Sequence, residues 1–194
     1  MNGNMRFLFG ILVIIFLMSV PFDGISGEGD MSANEPKVVD HVDVARYVGK
    51  WYSIAEIPQI FTKPCAGGTT ATYSLRKDGT IDVVNACYKK DGSLYSVKGR
   101  AWAVDAKTNA KLKVSFFLSS LKINALSGDY WILDLGKDYE YSVVGEPTRK
   151  YGWILSRTRE LPQDVLDPII ERLEANGYKF SDFVMINHKD YGVE

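Results

Sequence analysis

Apolar and polar residues alternate in short runs from Lys50 onward. In the first run Trp51, Ser53 and Ala55 fall on one face and Tyr52, Ile54 and Glu56 on the other, the two-residue period of a strand. The same texture predicts strands at 50–57, 69–76, 80–88, 94–104, 111–118, 130–135, 139–145 and 151–158. Turn signals separate them, among them Lys77-Asp78-Gly79, Lys90-Asp91-Gly92 and Ser127-Gly128-Asp129. One face collects Ala71, Tyr73, Leu75, Ile81, Val83, Leu112, Val114, Phe116, Trp131, Leu133, Tyr151, Trp153 and Leu155. Thr70, Thr72, Asp82, Lys111, Lys113 and Ser115 occupy the other. Eight antiparallel strands with one apolar face can close into a barrel that holds a small ligand, or stack as a sandwich. The pattern alone leaves both open.

Two departures from the hairpin rhythm stand out. The connection from Pro58 to Gly68 is long, contains Phe61 and Pro64, and reads as a lid or loop. From Leu161 to Asn176 the period becomes helical, with Val165, Leu166, Ile169, Ile170 and Leu173 on one side. Pro162 suits the start of this helix and Gly177 its end, whereas Pro168 fits only in or near the first turn. Phe183 to Ile186 reads as a last short strand.

The N-terminus changes the picture of where the protein works. One positive charge, Arg6, precedes an apolar run from Phe7 to Val20 with small residues after it, which predicts a signal peptide over 1–26. Residues 27–40 read as a solvated linker and 41–194 as one domain, so an exported protein, periplasmic or secreted, is expected. In that setting Cys65 and Cys87 most simply form a disulfide. The 23 basic and 24 acidic residues nearly cancel, and the absence of a basic cluster argues against a nucleic-acid partner. His41 and His188 lie near the ends of the domain and are expected at the surface. No metal site, cofactor or catalytic residue is expected.

Gly49-Lys50-Trp51 at the first strand, "WILSRT" at the last and the helix after it resemble the lipocalin family. "TATYSLRKDGTIDVVN", "LKVSFF", "DYWILDL" and "YSVVG" are similar to its branch of bacterial lipocalins, apolipoprotein D and plant temperature-induced lipocalins. The resemblance implies an all-β, eight-stranded up-and-down barrel with one C-terminal α-helix packed outside. It also implies that Gly49, Trp51 and Arg157 close one end, the guanidinium lying over the indole. The family's middle motif T-D-x-x-Y is present only as Leu135 to Tyr139, with Gly136 at the aspartate's place, so this loop is expected to be braced differently. The signal lacks the lipid-acceptor cysteine of bacterial members, so anchoring by that route is not expected.

By the same resemblance, the inward aromatics Tyr73, Phe116, Trp131, Tyr151 and Trp153 approach a ligand; Asn85, inward by parity, either orients a ligand's polar head or bonds to the backbone. The implied function is carriage of a small hydrophobic molecule, a fatty acid or lysophospholipid, with a role in envelope lipid maintenance. Peripheral membrane contact and a monomer or weak homodimer are further expectations. The alternative is an isomerase that uses a pocket thiol at Cys87, which a disulfide would preclude, or another enzymatic lipocalin; a third reading is a protein-binding module that uses the barrel's outer surface.

Overall fold

Each of eight strands pairs with its neighbour in the chain, and the eighth returns to the first. In the computed structural model, which describes residues 35–117 and 122–191, the strands are β1 (Gly49–Glu56), β2 (Gly67–Leu75), β3 (Ile81–Tyr88) and β4 (Leu94–Ala103), then β5 (Lys111–Ser115), β6 (Gly128–Leu135), β7 (Tyr141–Gly145) and β8 (Gly152–Ser156). All pairings are antiparallel, and β1 joins both β2 (Trp51 opposite Ala71) and β8 (Tyr52 opposite Ser156), which closes the barrel. Closure excludes the sandwich and leaves no free edge among the eight. A two-residue β9 (Val184–Met185) adds to β1 opposite Ala55 and Glu56, shorter than the expected last strand. The expected signal peptide lies outside the described residues. The segment expected to be a linker ends earlier than 40: Pro36 is buried, Val39 N–H donates to the Ile132 carbonyl, and Lys37 exchanges two hydrogen bonds with the Asn176 side chain.

Helix α2 (Gln163–Ala175) buries Leu166, Ile169 and Leu173 against the outside of the barrel. Pro168 lies in its second turn rather than its first. Proline offers no N–H to the Asp164 carbonyl there. It is exposed, near the start, and the packed stripe on the opposite side holds the helix together.

That helix explains the main correction to the parity reading. Trp131 and Leu133 belong to the outer cluster with Ile54, Ala55, Val143 and Ile154, while Tyr130 and Ile132 pack on the inner side. Both faces of β6 are apolar because α2 covers one and the lumen adjoins the other, so alternation could not choose between them. Bulges add to this. The register slips between Ser53 and Ala55 in β1 and between Ile132 and Asp134 in β6. One inserted residue reverses the facing of the residues after it. Glu56, paired by alternation with Ile54, turns to the lumen beside Ser53.

The closed end is built around Trp51, which is 0% exposed. A short helix α1 (Val44–Tyr47) crosses beneath it, and the indole N–H donates to the Tyr47 carbonyl at 2.8 Å. The Arg157 guanidinium lies 3.7 Å from the indole centroid and donates to the carbonyls of Arg46, Tyr47, Val48 and Lys50 at 2.8–3.1 Å. Gly49 has φ +103°, and a Cβ there would sit 3.2 Å from Arg157 Nη1, so the glycine serves both the bend and the guanidinium. The loop with Gly136 at the aspartate's place is braced instead by Glu140, which accepts from Asp138 N–H, and by Arg46, stacked 4.2 Å from the Tyr139 ring.

Trp51→Ala should open a cavity at this end and leave the Arg157 face uncovered, costing about 3–5 kcal/mol. Urea unfolding is the measurement; an unchanged midpoint would refute the plug.

Candidate functional site

Opposite the plug the barrel encloses a cavity of about 670 Å³. Loop residues Phe61, Thr62, Ser127 and Thr148 line it at that end, and Ile81, Val83, Leu112, Val114 and Leu155 form much of its wall. The disulfide between Cys65 and Cys87, with Cα atoms 5.5 Å apart, ties the β1–β2 loop to β3 at this mouth. Neither cysteine is free, so the thiol that an isomerase would need is consumed. Phe61 stacks on Tyr151 (6.3 Å, 6° between planes) and Tyr151 on Trp153 (6.4 Å, 23°), an aromatic ladder from rim to lumen.

The floor above Trp51 is made of hydroxyls. Tyr130 Oη is 2.8 Å from Tyr47 Oη and 2.9 Å from Tyr73 Oη, and Tyr47 Oη is 3.0 Å from Ser142 Oγ. Burial pushes the Tyr47 pKa up to about 12 and raises those of Tyr73 and Tyr130, so the floor stays neutral at physiological pH. Each buried hydroxyl has a partner, as burial requires.

Higher on the wall the polar groups are less well provided for. Thr69 Oγ1 and Asn85 Oδ1 are buried, line the cavity and have no hydrogen-bond partner. Glu56 is 3% exposed; Ser53 Oγ donates to its Oε2 at 3.0 Å, and burial raises its pKa. Two further carboxylates reach the cavity but are already engaged. Asp129 pairs with Lys113 at 2.9 Å. Glu146 accepts from Thr148 N–H, Thr148 Oγ, Lys150 N–H and Tyr151 N–H.

Five of the six residues expected to meet ligand line this cavity: Tyr73, Asn85, Phe116, Tyr151 and Trp153. Trp131 does not. It lies outside the wall under α2, with Lys111 Nζ 3.7 Å from its ring centroid. His188 is also misplaced by the surface expectation, being 5% exposed with Nε2–H donating to the Ser53 carbonyl at 2.7 Å. The sequence reading missed Tyr47, Tyr130, Thr69 and Glu56. A glutamate at a strand's end carries no signal of a lumenal position when a bulge sets its direction.

Residues 42–188 match the Lipocalin-like domain family. The chain belongs to the lipocalin family. It is 39% identical to temperature-induced lipocalin-1 of Arabidopsis thaliana over 149 residues, covering 76% of this chain and 80% of the relative. Identity to the outer membrane lipoprotein Blc of Escherichia coli K12 is 35% over 150 residues, covering 77% and 81%. Mouse apolipoprotein D matches at 36% over 150 residues, covering 73% and 75%. In fold the lipocalin is similar to insecticyanin of Manduca sexta, with a TM-score of 0.62 at 20% identity over 79% of this chain and 84% of that one.

Burial raises the Glu56 pKa, so the folded state holds this proton more tightly than the unfolded chain does. Its contribution to stability is therefore fully present below the unfolded carboxylate pKa and is lost as pH rises through the folded one. Glu56→Gln should raise the urea midpoint at pH 7.5, and the gain should shrink as pH falls to 4. An equal gain at both pH values would place the carboxylate in water.

Proposed function

We propose that this lipocalin binds one single-chain lipid in the barrel and carries it through the cell envelope or beyond. The observation that carries the reading is the 670 Å³ cavity, walled by aliphatic and aromatic side chains and lined by loops at one end. A pocket of this size and character suits a small apolar ligand. Burying an alkyl chain there contributes about 25 cal/mol per Å² of apolar surface before ordering costs. Fatty acids and lysophospholipids share the required single chain. Tyr73, Phe116, Tyr151 and Trp153 are the aromatic contacts of the tail and rim, and Asn85 meets the polar end.

Export and an envelope role draw support from the name of the outer membrane lipoprotein relatives. Contact with a membrane surface is supported by the rim, where Ile60 is 80% and Phe117 68% exposed and Phe61 and Leu126 are exposed beside them. Apolar side chains grouped around a lipid-sized opening suit transfer of a tail from a bilayer without crossing water. The disulfide removes the one nucleophile that favoured an enzymatic reading.

Lysophosphatidylethanolamines of increasing chain length should displace a fluorescent apolar reporter such as N-phenyl-1-naphthylamine. Each added methylene should strengthen binding by up to about 0.8 kcal/mol until the lumen is full. Val97→Trp, which fills the lumen from β4, should abolish the displacement while leaving the circular dichroism unchanged. Affinity independent of chain length would remove the cavity from the mechanism.

A further inference from the structure

The cavity's charge pattern bears on which lipid head it accepts. Among the described residues no lysine, arginine or histidine lines it, whereas Glu56, Asp129 and Glu146 do. Asp129 and Glu146 spend their oxygens on protein partners. Glu56 has one hydrogen bond, from Ser53, among the described residues.

The groups left with unused capacity are neighbours on three adjacent strands. Tyr52 pairs with Thr70, so Thr69 stands on the row of Ser53; Ala71, two residues on, pairs with Asn85. Glu56, Ser53, Thr69 and Asn85 thus form an arc across β1, β2 and β3 in the mouth-side half of the lumen. The arc presents two acceptors that cannot donate, the Glu56 carboxylate and Asn85 Oδ1, beside the Thr69 hydroxyl, which can accept or donate. A buried acceptor without a donor is costly, and a ligand donor recovers that cost. A carboxylate could accept from the Thr69 hydroxyl but leaves Asn85 Oδ1 without a donor and brings a charge of the same sign as Glu56, with no cation among the described lining residues to offset it.

Resting on the lipid-carrier reading, we propose that the arc of Glu56, Thr69 and Asn85 is a head-group subsite for a hydrogen-bond-donating head, above all the ammonium of a long-chain amine, and that it disfavours a free fatty-acid carboxylate. The three N–H bonds of an ammonium match the three acceptors in number, and its charge complements Glu56. The tail then runs from the mouth-side arc toward Val83, Leu112 and Leu155. Neutral alcohols occupy an intermediate rank, since they donate one hydrogen bond and carry no charge. Specificity of this kind comes as much from the rejected head as from the accepted one.

The test compares three twelve-carbon probes that differ only in the head: dodecylamine, 1-dodecanol and dodecanoate. Each competes with N-phenyl-1-naphthylamine for the wild-type protein at pH 7.5. The expected order is amine, then alcohol, then carboxylate, with at least about tenfold between the first and last. Glu56→Gln should erase most of the amine's advantage and leave dodecanol within about twofold, and Asn85→Leu should weaken both donors. Dodecanoate binding as tightly as dodecylamine to the wild type overturns the proposal, whatever the variants do, as does an amine advantage that survives both substitutions. Those results would leave the carrier reading intact. Failure of the lysophosphatidylethanolamine series would instead end the carrier reading, and the subsite with it.

Discussion

The Arg157 guanidinium over the Trp51 indole is the contact on which the barrel's shape depends. Stacking supplies a cation–π attraction of roughly 1–2 kcal/mol in a shielded setting, but its reach is wider than that figure. The same guanidinium gathers the carbonyls of Arg46, Tyr47, Val48 and Lys50, so it also terminates α1 and fixes the entry into β1. The last barrel strand and the first are thereby fastened at one end. Closing that end lets the other stay open around a cavity, because the two functions need not share residues.

A barrel with a helix on one side has two apolar surfaces to separate. The wall shared by β1, β6, β7 and β8 faces the lumen with Trp51, Ile132, Val144 and Leu155 and faces α2 with Ile54, Trp131, Val143 and Ile154. On the far wall the outward positions meet water and stay polar, as Thr72, Asp82 and Lys98 do. Bulges in β1 and β6 occur in the double-sided wall, where the chain must turn side chains to fit both the lumen and α2. Glu56 reaches the lumen through one of them.

The interior divides its polar groups by how well they are satisfied. The tyrosine floor is closed upon itself through Tyr130, and burial holds its hydroxyls neutral. The arc of Glu56, Thr69 and Asn85 keeps hydrogen-bonding capacity that the protein itself does not use, at a cost wherever no partner supplies the bond. Such a cost makes sense where a ligand is to be recognised, because the unsatisfied groups confer preference while the apolar wall confers affinity.

Local features of the sequence determined the eight strands, the late helix and the disulfide, while the plug of Trp51 and Arg157 was implied by the resemblance to the family. Alternation and turn residues act over a few neighbours, and two cysteines leave one pairing within the chain. The inward placement of Tyr73, Asn85 and Trp153 was legible for the same reason, since their strands keep parity there. Closure of the sheet, the outward turn of Trp131, the burial of His188 and the lumenal Glu56 were decided only by tertiary structure. Each depends on a partner distant in the chain: β8 returning to β1, α2 covering β6, β9 adding to β1, and a bulge whose register is set across strands. A period of two tells which residues share a face, but only the surface that packs against that face tells which way it points.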